Sequence, residues 1–212
     1  MKYLIVSLFF FSLTALAQND EKSQELLNKM SKEIKSLSSF YIEFSFAMKN
    51  ASTGEDSKEN GKGYVQGDKF NASLGDNEII SNGIKIWTVV KEENVTYESA
   101  ADDEDEESIN PKRLMTIWES GFKNNYVKQD KLNGKAVHVI NLFPTNPGEV
   151  QYHTITLYID AASSELSKAI MKTKDGTTMS YEIENFKKNP EIAASKFVYD
   201  AKKYPGYRLI RD

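Results

Sequence analysis

The side chains that most often perform catalysis are few in this sequence and lie in unpromising contexts. His138 stands between Val137 and Val139 in an alternating segment, and His153 opens another such segment. We interpret His138 as structural or solvent-facing, and His153 has no recognisable serine, aspartate or metal partner nearby. The sequence also lacks a glycine-rich phosphate loop, a G-x-S-x-G elbow and an H-E-x-x-H motif. We therefore predict no catalytic residues and no enzymatic activity.

Composition excludes several further kinds of site. Cysteine is absent, which removes thiol catalysis, cysteine-ligated zinc, iron–sulfur clusters, disulfides and lipid attachment through an N-terminal cysteine. The acidic run Asp102–Glu107 lacks the spaced ligands and glycine of a calcium loop, so we interpret it as a solvated loop. Lys plus Arg number 27 against 31 for Asp plus Glu, a balance that disfavours nucleic-acid binding. We expect no metal, no cofactor and no nucleic-acid partner.

Apolar side chains remain as the candidates for function. Met115, Trp118 and Phe122 cluster on a predicted short helix, Asn110–Phe122, which Asn110 can cap and Gly121 can end. Adaptable and aromatic groups of this kind form surfaces that accept variable apolar ligands. An ordinary packed core is the alternative, and periodicity does not separate the two.

The rest of the sequence predicts one more helix and two groups of consecutive strands. Apolar residues spaced by three and four predict a helix over Glu21–Leu37, and period-two alternation predicts a strand over Phe40–Met48. The polar stretch Asn50–Asn60 reads as a loop, and short strands such as Lys69–Leu74 and Lys85–Val90 follow between turn signals. The pattern predicts a mainly β fold, with a single curved antiparallel sheet of about ten strands and two helices that cover one face.

The first seventeen residues have the pattern of a secretory signal peptide. Lys2 precedes a hydrophobic run, and Ala15 and Ala17 precede Gln18 as an A-x-A cleavage site. A transmembrane anchor is the alternative, but the apolar run is short for a bilayer core of ~30 Å and no stop-transfer charges follow. We expect residues 1–17 to be removed and residues 18–212 to form one exported domain.

Several short motifs follow one another in an order that carries a resemblance. They are Leu26-Leu27 through Leu37 with Ser39-Phe40, Gly61-Lys62-Gly63-Tyr64-Val65, Ser81–Trp87, Leu157-Tyr158-Ile159-Asp160, Asp175-Gly176-Thr177, and Phe197-Val198-Tyr199-Asp200 with Tyr204-Pro205-Gly206. Their order and spacing, together with the leader, resemble the periplasmic outer-membrane lipoprotein carrier family, LolA, in the form found in Bacteroidetes.

The resemblance implies an incomplete β-barrel of about ten to eleven strands, with helices as a lid over a hydrophobic cavity. It implies that the cavity receives lipoprotein acyl chains from an inner-membrane ATP-driven exporter, and that the carrier crosses the periplasm to an outer-membrane acceptor where one exists. The lipid-binding residues we expect are Phe44, Phe46, Phe70, Trp87, Leu114, Met115, Ile117, Trp118 and Phe122.

One departure from the family pattern concerns closure of the lid. Well-studied members follow the second strand with an Arg-Pro pair whose arginine helps to hold the lid shut. Here the segment Val65–Phe70 contains no arginine, so we assign no latch residue. Phe70 matches the aromatic residue that follows the missing pair, which places it near the expected cavity mouth.

Two other functions stay open at this level. A periplasmic sensor or regulatory domain could use the same half-barrel to bind lipid or lipoprotein as a signal. An envelope hydrolase that depends on His153 is the second alternative. The acceptor of the same pathway is itself a lipoprotein, which a chain without cysteine cannot be.

We predict that the mature protein begins at Gln18 and is recovered in the soluble periplasmic fraction, because the leader carries a cleavage pattern and no cysteine is available for lipid attachment. Mass spectrometry of the native protein measures this directly. An attached acyl chain or a retained leader would contradict the prediction.

Overall fold

The computed structural model describes residues 20–101 and 115–211 as one α-helix and one curved sheet of twelve strands. The helix α1 spans Glu21–Ser36. The strands are β1 Ser39–Asn50, β2 Asp56–Gln66, β3 Lys69–Leu74, β4 Asn77–Ser81, β5 Lys85–Val90, β6 Val95–Ala100, β7 Phe122–Leu132, β8 Lys135–Pro144, β9 Tyr152–Asp160, β10 Leu166–Thr173, β11 Thr177–Lys188 and β12 Arg208–Arg211. The predicted leader, the acidic run and Leu114 lie outside the described residues.

The strand order shows an open sheet rather than a closed barrel. It runs β12-β6-β5-β4-β3-β2-β1-β11-β10-β9-β8-β7, so β12 and β7 are its two edges. The predicted count of ten to eleven strands is too low. The prediction of a wholly antiparallel sheet is also wrong at one edge, because β12 runs parallel to β6. A parallel partner requires a long crossover, and the segment between β11 and β12 provides one.

Helix α1 covers part of one face of the sheet, which we call the inner face. Asp20 caps the helix by accepting a hydrogen bond from the Ser23 N–H at 3.0 Å. Leu27, Met30 and Ile34 are buried in the same apolar cluster as the inward side chains of the strands. Their spacing of three and four residues places them on one stripe, as the sequence predicts.

The first turn of α1 is attached to the edge strand β7 through Asn124. The Ser23 hydroxyl donates to the Asn124 side-chain oxygen, and the Asn124 amide donates to the Gln24 side chain at 2.9 Å. The Asp20 N–H also donates to the Asn124 carbonyl at 3.3 Å. These contacts fix the helix against one end of the open sheet.

The second predicted helix, Asn110–Phe122, is not an α-helix in its described part. Residues 110–114 lie outside the described ranges, Ile117–Glu119 form a single 3-10 turn, and Phe122 begins β7. Gly121 adopts φ +78°, which ends the turn as expected. From Phe122 onward the backbone pairs with β8, and this pairing outweighs the apolar spacing that suggested a helix.

The predicted loop Asn50–Asn60 is also shorter than expected. Strand β2 begins at Asp56, and its first five residues pair with the end of β1. Most of these residues are exposed and polar. Because this end of the hairpin projects into solvent, polarity here does not indicate a loop.

The opposite, outer face carries a second buried cluster. Strand alternation places Ile86 on the inner face and Trp87 on the outer face. The indole Nε1 of Trp87 donates to Glu98 at 2.9 Å, and its ring stacks on Tyr199 with centroids 6.2 Å apart. Phe197, which is 1% exposed, lies in a 3-10 turn that packs against β3 and β4. The segment between β11 and β12 therefore acts as a cover for the outer face.

We predict that Phe197→Ala lowers the free energy of unfolding by about 3–5 kcal/mol, because it leaves a cavity in the outer cluster. Val198→Ala is the matched control, since Val198 is 51% exposed and its loss should change stability by less than about 0.5 kcal/mol. Urea denaturation of both variants measures the difference. Equal, small losses would show that this segment does not stabilise the sheet.

Candidate functional site

The inner face contains an apolar pocket beside the region that α1 covers. It encloses about 520 Å³ of empty space, which includes the space at its open mouth. The lining residues share an apolar side chain and an inward orientation: Ile42, Phe44, Met115, Ile117, Ile155, Leu166, Ala169, Met171, Tyr181 and Ile183.

Four neighbouring strands build the wall of the pocket. Strands β1, β11, β10 and β9 are adjacent in the sheet, and every second residue of each points inward. Ala169 of β10 pairs with both Tyr181 of β11 and Leu157 of β9, so these three side chains share the inner face. The wall is therefore set by strand register rather than by loops.

The described residues of the pocket offer a ligand almost no polar group. Among its ten lining residues, nine have hydrocarbon or thioether side chains, and the tenth is Tyr181. A tyrosine hydroxyl is neutral at physiological pH, and burial raises the pKa of Tyr181 further. A charged ligand group would lose its hydration here without gaining a partner, whereas a hydrocarbon chain would lose nothing polar. The pocket is suited to apolar ligands.

Apolar surface continues beyond the pocket along β1 and β11. The Phe46 and Tyr181 rings lie 4.9 Å apart between centroids, and Met48 pairs directly with Met179 further along the same face. Phe46, Met48 and Met179 are half-buried rather than buried. A ligand that leaves the pocket on this side would stay in contact with adaptable apolar side chains.

The segment Met115–Gly121 covers another side of the pocket and is attached to α1. Met115 and Ile117 contribute to the lining. Trp118 is 5% exposed, and its indole Nε1 donates to the Ser31 hydroxyl at 2.7 Å. Lys35 forms an ion pair with Glu119 at 2.8 Å. The cover of the pocket is thus joined to the helix by side-chain contacts.

The structure places the nine predicted site residues in three groups. Phe44, Met115 and Ile117 line the pocket. Phe46, Phe70, Trp118 and Phe122 belong to the surrounding inner core or pack against it. Trp87 lies on the outer face, and Leu114 falls outside the described residues. Phe70, expected at the cavity mouth, is buried and does not belong to the lining.

Seven lining residues escaped the sequence reading. They are Ile42, Ile155, Leu166, Ala169, Met171, Tyr181 and Ile183. Most of them come from β9, β10 and β11, whose alternation indicates an inward face. Alternation does not indicate which of the inward residues line the pocket, because this depends on the curvature of the sheet.

The two histidines lie away from the pocket lining. The Nδ1 atom of His138 lies 3.2 Å from the Tyr126 hydroxyl, and burial, together with the nearby Lys22, lowers the pKa of His138. His153 is exposed beside the Thr154 hydroxyl. Within residues 20–101 and 115–211, no group of three or more His, Cys, Asp or Glu side chains could hold a metal ion. No helix of these ranges has the length and apolarity needed to cross a bilayer.

Comparison with known families gives one match that covers most of the chain. The family model described as "Outer membrane lipoprotein carrier protein LolA" matches residues 35–200. This range includes eleven of the strands and every residue of the pocket lining. None of the curated proteins compared matches the sequence significantly.

Two solved structures share the fold at low sequence identity, and a third is similar over less of its geometry. An uncharacterized conserved protein from Thermus thermophilus has a TM-score of 0.60 at 10% identity, covering 91% of this chain and 100% of its own. LprF from Mycobacterium bovis has a TM-score of 0.52 at 16% identity, with coverage of 84% and 97%. A LolA superfamily protein from Nitrosomonas europaea has a TM-score of 0.45 at 10% identity, with coverage of 83% and 97%.

We predict that Trp118→Phe destabilises the protein by about 1–2 kcal/mol and speeds amide exchange in residues 115–120, because it removes the hydrogen bond to Ser31. Trp87→Phe is the matched control, since it removes an indole hydrogen bond on the outer face. That variant should lose stability without faster exchange at 115–120. Hydrogen exchange measured by mass spectrometry compares the two variants. If both change the exchange rate of residues 115–120 equally, the Trp118–Ser31 hydrogen bond does not hold this segment to α1.

Proposed function

Because the chain belongs to the LolA family of outer membrane lipoprotein carrier proteins, we propose that it carries lipoproteins through the periplasm with their acyl chains in the inner pocket. The observation that supports this most directly is the lining, in which Tyr181 supplies the one polar side chain among the ten described residues. We propose no catalytic role for any residue, and the fold family is one of carrying or binding.

The energetics of a lipid anchor explain why such a pocket is needed. Each methylene exposed to water costs about 0.8 kcal/mol, so a diacylated or triacylated protein does not leave a membrane by itself. A carrier has to replace membrane contacts with apolar side chains and later give the load up. Thioether and half-buried aromatic side chains fit this task, because they adapt to a chain without a tightly complementary fit.

We propose that the segment Met115–Gly121 acts as a movable cover, which opens away from the fixed helix α1. The Trp118–Ser31 hydrogen bond and the Lys35–Glu119 ion pair take the place of the missing arginine latch. The hydrogen bond and the largely exposed ion pair contribute only about 1–2 kcal/mol together, and the burial of Met115 and Trp118 adds to the cost of opening. The cover should therefore open locally at a much lower cost than global unfolding.

Export and partners complete the proposal. We propose cleavage after Ala17, loading by an inner-membrane ATP-driven lipoprotein exporter, and delivery to an outer-membrane acceptor where one is present. Family members are periplasmic, which agrees with the leader pattern of residues 1–17.

We predict that a fluorescent fatty-acid analogue binds the mature protein and is displaced by a lipopeptide. Ala169→Met should weaken binding at least about tenfold, because the added atoms displace about two methylenes from the pocket. Ala47→Met is the matched control, since Ala47 points to the outer face of β1 between Lys58 and Ser180. Fluorescence titration measures all three proteins.

The outcomes separate the proposal from its rivals. Equal binding by the two variants would show that the ligand does not use this pocket. A folded wild-type protein that binds neither the analogue nor the lipopeptide would overturn the carrier proposal. If lipopeptide slows amide exchange at residues 115–120, the result supports the movable cover. If these residues exchange as slowly as the central strands and lipopeptide does not change the rate, the proposal of a movable cover is wrong.

A further inference from the structure

Gly61 of β2 lies directly beneath the ring of Phe44. The two residues are paired across β1 and β2, and both lie on the inner face. A Cβ atom added at Gly61 would lie 2.3 Å from Cζ of Phe44, 2.6 Å from Cε2 and 2.8 Å from Cε1. The ring therefore rests on the bare backbone of Gly61, closer than any other residue type would allow.

The backbone at Gly61 does not require glycine. Gly61 is not one of the glycines with positive φ, and it lies within a regular strand where glycine is usually unfavourable. The remaining reason for a glycine inside a strand is the close approach of another group. At this position that group is the Phe44 ring.

The Phe44 ring separates Gly61 from the pocket. Phe44 is 2% exposed and belongs to the pocket lining, whereas Gly61 does not. Since the β2 backbone lies behind the ring, movement away from Gly61 carries the ring into the pocket. A Cβ atom at 61 would require the ring to retreat by about 1 Å to restore an ordinary contact of 3.4 Å.

We propose that Gly61 is a specificity-determining position, which sets the depth of the pocket and so the length of acyl chain that it accepts. The inference rests on the proposed function and deepens it. Because Gly61 has no Cβ atom, the Phe44 ring can lie close against β2. The volume that the ring does not occupy is added to the pocket. A larger residue at 61 would shorten the accepted chain although it never touches the ligand.

A purely structural role is the competing explanation, since an aromatic ring over a strand glycine also stabilises a sheet. The two explanations differ in what they affect. A structural glycine changes stability and weakens all ligands alike, whereas a depth-setting glycine changes the dependence of affinity on chain length.

The test measures dissociation constants of the mature protein for saturated fatty acids from decanoic to stearic acid. For Gly61→Ala we expect the longest chains that fit the wild-type pocket to bind about 4–16-fold more weakly, which corresponds to one or two expelled methylenes at about fourfold each. The shortest chains should bind as before. Gly148→Ala is the control, because Gly148 is exposed, lacks a positive φ and has no atom within 4 Å of an added Cβ.

A second pair of variants keeps the test decisive if Gly61→Ala folds poorly. Phe44→Leu removes part of the ring and should extend the series of chains that bind more tightly with length. Combining Gly61→Ala with Phe44→Leu should return the length dependence toward that of the wild type. Circular dichroism and thermal unfolding confirm that each variant is folded before titration.

The results distinguish the inference from the proposed function. If the wild type binds the series but the length dependence is the same in all variants, the depth inference is wrong and the carrier proposal stands. A uniform loss of affinity at every chain length assigns Gly61 to packing and also overturns the inference. If the folded wild type binds no chain, both proposals fall together.

Discussion

The apolar inner face of an open sheet has to be shielded from water. The rest of this structure depends on how much of that face is covered. Within residues 20–101 and 115–211, twelve strands present a wide apolar surface, whereas the single α-helix of 16 residues buries its stripe against only part of it. The segment Met115–Gly121 extends the cover, yet Met171 and Ile183 remain half-buried beside empty space. A closed barrel would fill this region with side chains. Because the sheet stays open, the uncovered remainder becomes a pocket.

The outer face has a different task, because it supplies stability that the inner face cannot. A pocket lacks the dispersion contacts that a filled core would provide. Phe197, Trp87 and Tyr199 restore some of this packing on the opposite side of β3–β6, and Tyr204 adds a hydrogen bond to Glu78 at 2.6 Å. The inner face thus holds the pocket beside the main core, and the outer face adds a second buried cluster.

The sequence predicts where helices and strands lie better than it predicts which face of the sheet a side chain is on or what it contacts. Helix α1 and the strands Lys69–Leu74 and Lys85–Val90 follow local periodicity, so they were readable without a structure. The segment after Met115 was misread as a helix because its apolar spacing is set by contacts with α1 and the pocket, which are not local. Family membership was readable from motif order, and the family match confirms it. Trp87 was assigned to the pocket because a single strand gives no indication of which side is inward, and the cover over its outer face comes from residues about a hundred positions later.

The pairing of β1 with β11 also determines when the binding site can exist during folding. Phe40 pairs with Lys188, so the seam that carries Phe44, Tyr181 and Ile183 joins residues separated by most of the chain. Contacts of such sequence separation form slowly, because loop-closure entropy is lost before any packing is gained. The amino-terminal meander β1–β6 can form locally, but three of the four strands of the pocket wall, β9, β10 and β11, are then missing. A chain whose carboxy-terminal strands have not yet paired therefore lacks the pocket, which is completed only when the last part of the sheet joins β1.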